Sequence, residues 1–544
     1  MAPVPCPLLQ AVLSPLLASA LALPLAGKLK SRVGWLVGTV LSYQVLLLGL
    51  VGLRVWLEGP ILERYTWVPV PSVGVDLLAD GLSVPVALVM ALICACLAFY
   101  SIRYIEYRVE AIYGPEEATK GHYYAIYYGL YPLFPAGLVG IALSGNLIVI
   151  WFFMELMLIP FYFIMAYFGY LDRRRIAVMC FLWGTAASVV FMAGAFTAYA
   201  CVKSFSIQAL SALAGHRYAL LACALMAVGL LIKMAVFGFH VWLPWVHAEH
   251  PTCIAGILAC YANIGAYVMA RVLVLAMPEV FRALSTPLMM WALITMIYGA
   301  ALTLAQDDVK RLCACSTISQ VAYSLLGVAS MAPAAVAGGI FYMLSHLLGK
   351  AVLFSAAGLL VYETHERDIR RMGGLGRFLP LTAVLWASGS MILSAIPPFS
   401  GLPAEMVMFS GIFKSAIRQA LRLAVAIGGV LATALTAAYT FWPLKRIFMG
   451  SPRSSPGEAV REAPASMLAP RFILALASAA LGICPHLVVE LLMSSLGALE
   501  RALARLGREA SGGVEAAAAR LSELDEDLLR PPDEVPELGA ALGP

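Results

Sequence analysis

The sequence predicts an all-α integral membrane protein of about fourteen transmembrane helices. Three observations lead there. Of 544 residues, 62% are hydrophobic and only 12% are charged, whereas soluble domains carry about 25% charged residues. Apolar runs of about 20 residues recur along the chain and leave no hydrophilic segment long enough for a water-soluble catalytic domain. Two of these runs contain helix breakers together with ionisable side chains, a combination tolerated only where backbone and charge face protein or water rather than lipid.

Taken in order, the spans are read at 8–27, 34–57, 81–102, 123–143, 147–169, 176–201, 218–239, 252–276, 287–305, 312–331, 335–362, 379–410, 420–444 and 468–495. The first run lacks a basic leader and is followed by Lys28, Lys30 and Arg32, the charge order of a retained span with its N-terminus outside. Alternating the loops from there places roughly twenty basic residues inside against about nine outside, so an even number of spans and two outer termini are expected. The total charge of +5 carries less information than this distribution. Beyond the last span the chain turns rich in Ala, Leu, Glu and Arg. That composition predicts a peripheral tail over 496–544: either one or two amphipathic helices, interrupted at Ser511-Gly512-Gly513 and stopped at Pro531-Pro532, or a disordered segment.

The eleven cysteines form no CxxC pair, and most lie in apolar runs. Cys313 and Cys315, two apart, point to different sides of a helix, so small buried packing is the reading for them.

The stretch LLIKMAVFGFHVWLPWVHAEHPT, residues 230–252, places Lys233 inside an apolar run. It then breaks the helix between Gly238 and Pro244 and adds His240, His247, Glu249 and His250. An ammonium in hydrocarbon costs about 2.5–3.5 kcal/mol on insertion scales, so it needs a partner, water or a task. A second break is read at SAIPPFSGLPAE, Ser394 to Glu405, around Pro397, Pro398 and Pro403. Breaks in corresponding positions suggest two repeats, 123–276 and 287–447, flanked by spans within 1–122 and at 468–495.

The other ionisable groups inside apolar runs are Glu155, His346, Lys350 and Glu405. Glu155 is expected to pair with Lys233, each offsetting part of the other's burial, as in a proton relay; a neutral capping acid is the bland alternative. His346 and Lys350, four apart, share a helix face, where one of the pair can be neutral and exchange protons. Glu405 follows the second break, where loose backbone admits water, and suits an exit group. The histidines around Glu249 match no zinc spacing, and proton access or loop structure is preferred to a metal site.

At this point several stretches become familiar: FMELMLIPFYFIMAYFG, KMAVFGFHVWLPWVHAEHPT, DDVKRLCACSTISQVAYSLLG, FYMLSHLLGKAVLFSAAG and IPPFSGLPAEMVMFSG, with DGLSVPVALVMAL and DRRRIAVMCFL. In this order they resemble the proton-pumping antiporter-like subunits of respiratory complex I, of the chain M (NADH dehydrogenase subunit 4) type, over roughly residues 75 to 450. The resemblance implies fourteen transmembrane helices with two inverted five-helix repeats, each holding a discontinuous helix. It also implies that Glu155 and Lys233 are the essential pair of a first half-channel, His346 and Lys350 polar groups of a central axis, and Glu405 the terminal group of the second half. Glu rather than Lys at 405 favours chain M. Two positions depart from the family pattern: Asn263 stands where a second intramembrane Lys is usual, and Gln320 where chain M has a His. Neither titrates, so the relay is expected to lean on ordered water between Lys233 and His346.

The function expected is proton translocation coupled to quinone reduction elsewhere in a complex in a prokaryotic plasma membrane. No cofactor is expected in this chain, which has no GxGxxG after a strand and no Cys ligand set; quinone, flavin and iron–sulfur clusters are expected in partner membrane and redox subunits. The bilayer is the other partner, and nucleic acid is not one. The alternatives are a subunit of a multi-chain sodium/proton antiporter, a membrane-bound hydrogenase or ferredoxin-coupled complex, or a scaffold whose channel has been lost.

Overall fold

The computed structural model describes residues 4–68, 73–417, 419–451 and 460–506. The tail expected at 496–544 therefore lies outside the described residues from 507 onward.

Helices dominate. In chain order they are α1 (Pro7–Leu29), α2 (Val33–Glu58), α3 (Ser83–Tyr113), α4 (His122–Leu143), α5 (Leu147–Phe168) and α6 (Arg173–Val202). A broken helix follows, α7a (Ala219–Lys233) and α7b (Leu243–Glu249), then α8 (Thr252–Val274), α9 (Pro278–Leu304), α10 (Val309–Ala329) and α11 (Pro333–Thr364). A second broken helix, α12a (Pro380–Leu393) and α12b (Gly401–Ala416), leads to α13 (Ala420–Phe448), α14 (Ala465–Ile483) and the short α15 (Pro485–Ser494). Eleven stretches among the described residues are long and apolar enough to cross a membrane. The first of them holds both α1 and α2, and the two broken helices each add a crossing. The result is the fourteen spans expected from hydropathy.

Several boundaries differ from the sequence reading: α3 continues to Tyr113, beyond the end expected at 102, and α14 stops at Ile483, short of the 495 expected, with α15 following as a separate helix. Helix α9 begins at Pro278 and carries Pro287 inside it, so that proline does not mark its start. The first break runs from Met234 to Phe239, ahead of Gly238–Pro244, and Pro244 lies in the first turn of α7b. Proline is welcome there, because the N–H it lacks would have had no helical partner. The second break ends at Ser400, so Glu405 stands on the helix α12b and not in loose backbone. Pro397 and Pro398 are inside the break, while Pro403 falls in the first turn that follows it.

One element was unforeseen. Between α2 and α3, residues read as loop form an antiparallel hairpin, β1 (Ile61–Val68) and β2 (Val73–Ala79), with Ile61 opposite Ala79. Its Glu63 accepts hydrogen bonds from the backbone N–H of Leu8 and Leu9, both at 2.9 Å. The carboxylate thereby caps the N-terminus of α1, where orphan donors and the helix dipole favour an anion.

The two broken helices share one backbone geometry. Ala235 and Ala395 both take left-handed φ values of 53°. Phe239 donates to Val236 O as Phe399 donates to Ile396 O, and Val236 donates to Leu231 O as Ile396 donates to Met391 O. Each break is the fourth span counted from α4 and from α9, where the two repeats expected from the sequence begin. Helices α8, α10 and α11 are buried along their whole apolar windows, whereas α13 is buried along only 28% of its own. The wholly buried helices carry Asn263, Gln320, His346 and Lys350, so these polar groups sit at the centre of the bundle and away from lipid.

Candidate functional site

Lys233 is the last residue of α7a, at the point where the helix stops. The charge thus lies at a helix C-terminus, whose dipole and unpaired carbonyls stabilise a cation. Its Nζ stands 3.3 Å from the ring centroid of Tyr261 on α8 and makes no hydrogen bond or ion pair among the described residues. Glu155 on α5 feels the Lys233 charge without touching it, and its Oε1 has no partner. The pair expected from the sequence is therefore held apart, with Lys233 resting on an aromatic face. The carbonyls freed by the break are met by protein: Trp242 Nε1 donates to Ile232 O at 3.3 Å. The break is pinned to α9 as well, by Trp291 Nε1 to Phe237 O at 2.8 Å and Phe237 N to Thr295 Oγ1 at 3.2 Å. His240 belongs to this pinning, its Nε2 lying 3.0 Å from Tyr298 OH.

Helix α8 separates Lys233 from the central groups. Two residues beyond Tyr261, and so on another side of the helix, Asn263 Oδ1 lies 3.0 Å from His346 Nδ1 on α11. Its amide nitrogen donates to Ala259 O at 2.8 Å. An amide oxygen only accepts, so this contact assigns the proton of a neutral His346 to Nδ1 and leaves Nε2 as the open nitrogen. Lys350, one turn further along α11, turns instead to α10 and donates to Cys313 O at 2.9 Å and to Ser316 Oγ. His346 and Lys350 share a face but are tied to different neighbours.

Gln320, the other departure from the family pattern, is the hub of a buried network. Its Nε2 donates to Tyr439 OH at 2.7 Å and Thr436 Oγ1 at 3.3 Å, and its Oε1 accepts from Tyr342 OH at 2.7 Å. Tyr323 OH lies 3.0 Å from the same threonine. The charge of Glu405 reaches Tyr323, Tyr342 and Tyr439. Glu405 itself makes no hydrogen bond or ion pair among the described residues.

Near the basic face, at the end of α7b, His247 and His250 are completely buried, and all four of their ring nitrogens are without hydrogen-bond partners among the described residues. His247 stacks on Phe354 with centroids 5.0 Å apart, and the His250 ring meets Phe161 edge-on at 5.6 Å. Glu249 is a structural anchor: its carboxylate accepts from Leu171 N at 2.9 Å and pairs with Arg367 at 3.5 Å. Among the described residues no group of three or more His, Cys, Asp or Glu could hold a metal ion.

Sequence reading missed several partners. Fully buried Lys310 donates to His250 O at 2.8 Å and lies 3.7 Å from the Tyr170 ring centroid, with the Arg108 guanidinium 3.9 Å from the same ring. Arg271 on α8 makes two 2.6 Å hydrogen bonds to the carboxylate of Asp80. Lys310 was visible in the sequence as a charge next to a span and Arg271 as one inside the span read at 252–276, where the reading passed it over, but Tyr170, Tyr261 and Asp80 carry no local sign of what they will meet. The unpartnered atoms of Glu155, Lys233, Tyr261, His247, His250 and His346 lie along α5, α7, α8 and α11. Buried polar atoms in folded proteins are otherwise almost always hydrogen-bonded, to protein or ordered water. Such a row has the chemistry to pass protons along internal water.

Residues 144–436 match the family model described as NADH:quinone oxidoreductase/Mrp antiporter, TM. NAD(P)H-quinone oxidoreductase chain 4-2 of Synechocystis is 28% identical over 398 residues, covering 72% of this chain and 68% of its own. A chain of the Mrp complex from Dietzia superposes with a TM-score of 0.79 at 22% identity, over 90% of this chain and 97% of that one. A chain of respiratory complex I from Thermus thermophilus gives 0.78 at 23% identity, over 90% and 99%.

Proposed function

The chain belongs to the NADH:quinone oxidoreductase/Mrp antiporter membrane family, and from that premise we propose that it is a chain 4 (chain M) type subunit of a quinone oxidoreductase complex that moves protons across the bilayer. The supporting observation is Lys233. It ends a half-helix in the membrane, rests on Tyr261 and has no counter-ion in contact, within the field of Glu155. An ammonium so placed can take either charge state, depending on how closely Glu155 approaches and on what water reaches its Nζ.

Repeats 123–276 and 287–447 would form two half-channels meeting on α8 and α11. In the first, a proton passes between Glu155 and Lys233. Asn263 fixes His346 so that Nε2 faces the path, and Lys350 hands on towards the Gln320 network and Glu405. Quinone, flavin and iron–sulfur chemistry belong to partner subunits, this chain supplying the charge movement and no redox group. The membrane is proposed to be the prokaryotic plasma membrane, with both termini on the outer side.

The test is the assembled complex, purified through a tag on this chain and reconstituted in vesicles, with quinone reduction and acidification followed together. Quinone-site and iron–sulfur subunits should copurify, and Lys233→Ala should abolish acidification while quinone reduction continues. Unchanged acidification in both Lys233→Ala and Glu155→Gln would leave a scaffold. Recovery with small antiporter subunits alone, or with a nickel–iron subunit, would assign a different machine.

A further inference from the structure

On the face of the bundle opposite the basic loops, an open cavity of about 430 Å³ lies between α9, the α10–α11 connection, the end of α12b and the start of α13. Its polar walls are Arg282, Thr286, Ser330, Ser415, Gln419 and Arg422, and no carboxylate is among its lining residues. Arg422 is held in place by Thr286 Oγ1 at 3.0 Å and by Ser285 Oγ, bonds made by its Nε and one terminal nitrogen. Arg282, in the first turns of α9, is exposed and lines the same cavity.

Two helices begin at this cavity. Ala332 and Gln419, the N-cap residues of α11 and α13, give no side-chain cap to the first-turn N–H groups. Uncapped N–H groups and the positive ends of two dipoles add to two guanidinium groups and the Thr286 hydroxyl, while Ser330 and Ser415 donate to Gly327 O and Ile412 O; the donor set suits an oxyanion with several acceptor oxygens. Immediately beside it, Ile417 and Leu421 are 72% and 51% exposed, as are Met290 and Ile294 on the lipid-facing side of α9 at 40% and 48%. Anionic acceptors above and apolar chains below is the arrangement a phospholipid offers at this depth.

We propose that this cavity is a binding site for a phosphate ester, occupied by the headgroup of an anionic lipid or by free phosphate, with Arg282 and Arg422 as its charged ligands. The site is separate from the row of Glu155, Lys233, His346, Lys350 and Glu405.

The experiment uses the whole complex in mild detergent, delipidated and then titrated with phosphatidylglycerol, phosphatidylcholine or inorganic phosphate, bound molecules being counted on this chain by native mass spectrometry. Arg282→Gln with Arg422→Gln should weaken phosphatidylglycerol binding by about tenfold and leave phosphatidylcholine unaffected. Because Arg422 also holds Ser285 and Thr286, Arg282→Gln alone serves as the variant in which folding is not in question, with a smaller loss in the same direction. Loss confined to inorganic phosphate keeps the site and assigns it to the free ion. Equal phosphatidylglycerol and phosphate binding by wild type and both variants overturns the proposal.

Discussion

The Lys233 Nζ stands 3.3 Å from the centroid of the Tyr261 ring, and the phenol oxygen of that ring has no hydrogen-bond partner. The residue therefore acts on the lysine through its aromatic face. Desolvated cation–π contacts are worth about 2 kcal/mol. Tyr261→Phe should keep proton translocation, and Tyr261→Leu should lower it by about tenfold or more, with quinone reduction measured alongside to separate pumping from assembly. Equal loss in both variants would place the effect on the hydroxyl instead.

Gln320 satisfies three side chains at once, and replacing it with Leu would strand the hydroxyl of Tyr342, while Tyr439 OH would keep only Thr436 Oγ1 at 3.2 Å. A stranded group costs about 1–3 kcal/mol. Gln320→Leu is expected to lower the unfolding temperature of the solubilised chain and to slow translocation. Gln320→His, which keeps a donor and an acceptor, should retain more of both.

Helix α12b is seated directly against Gly338 of α11. A Cβ there would meet the backbone nitrogen of Met408 at 2.2 Å, and Met408 lies one turn beyond Glu405 on the same helix. Gly338→Ala should push α12b outward, with an overpacking cost of about 1–3 kcal/mol. Reduced thermal stability and reduced translocation together are the expected outcome; a wild-type melting curve would contradict this packing.

Asp80 and Arg271 form a buried bidentate pair, 10% and 11% exposed. Burial by itself would raise the Asp80 carboxyl, but the Arg271 charge and hydrogen bonds from Ser83 and Leu82 outweigh it and hold the group below the usual carboxylate range. A depressed folded-state value stabilises the fold above the unfolded value of about 3.9 and loses that contribution as pH falls through the folded one. Stability should be flat across neutral pH with respect to this pair and decline below about pH 4. Asp80→Asn leaves Arg271 buried and unpaired, a loss of about 3–5 kcal/mol, and should flatten the acid limb of the melting-temperature profile.

Most of the architecture was legible because membrane spans announce themselves locally. About 20 apolar residues are needed to cross, so every span from α1 to α14 could be located, most of their ends to within a few residues, and Lys233, His346, Lys350 and Glu405 stood out as charges in hydrocarbon. The hairpin at Ile61–Ala79 was less visible, since alternation over eight residues is a weak signal beside long apolar runs. The sequence showed two breaks, but the match of Ala235 with Ala395 is a property of backbone angles, which the unlike side chains around them do not reveal.

What the amino-acid order determined on its own was which groups enter the membrane, because that depends on the hydropathy of contiguous residues. What only the tertiary structure decided was whom they meet. Lys233 faces Tyr261, twenty-eight positions away; His346 faces Asn263, Lys350 faces Cys313, and Gln320 gathers tyrosines from two other helices. The physical reason is that α8, α10 and α11 are buried on every side. Hydrophobic periodicity tells a lipid-facing side from a protein-facing one, and a helix without a lipid-facing side carries no such mark of which neighbour each residue will touch.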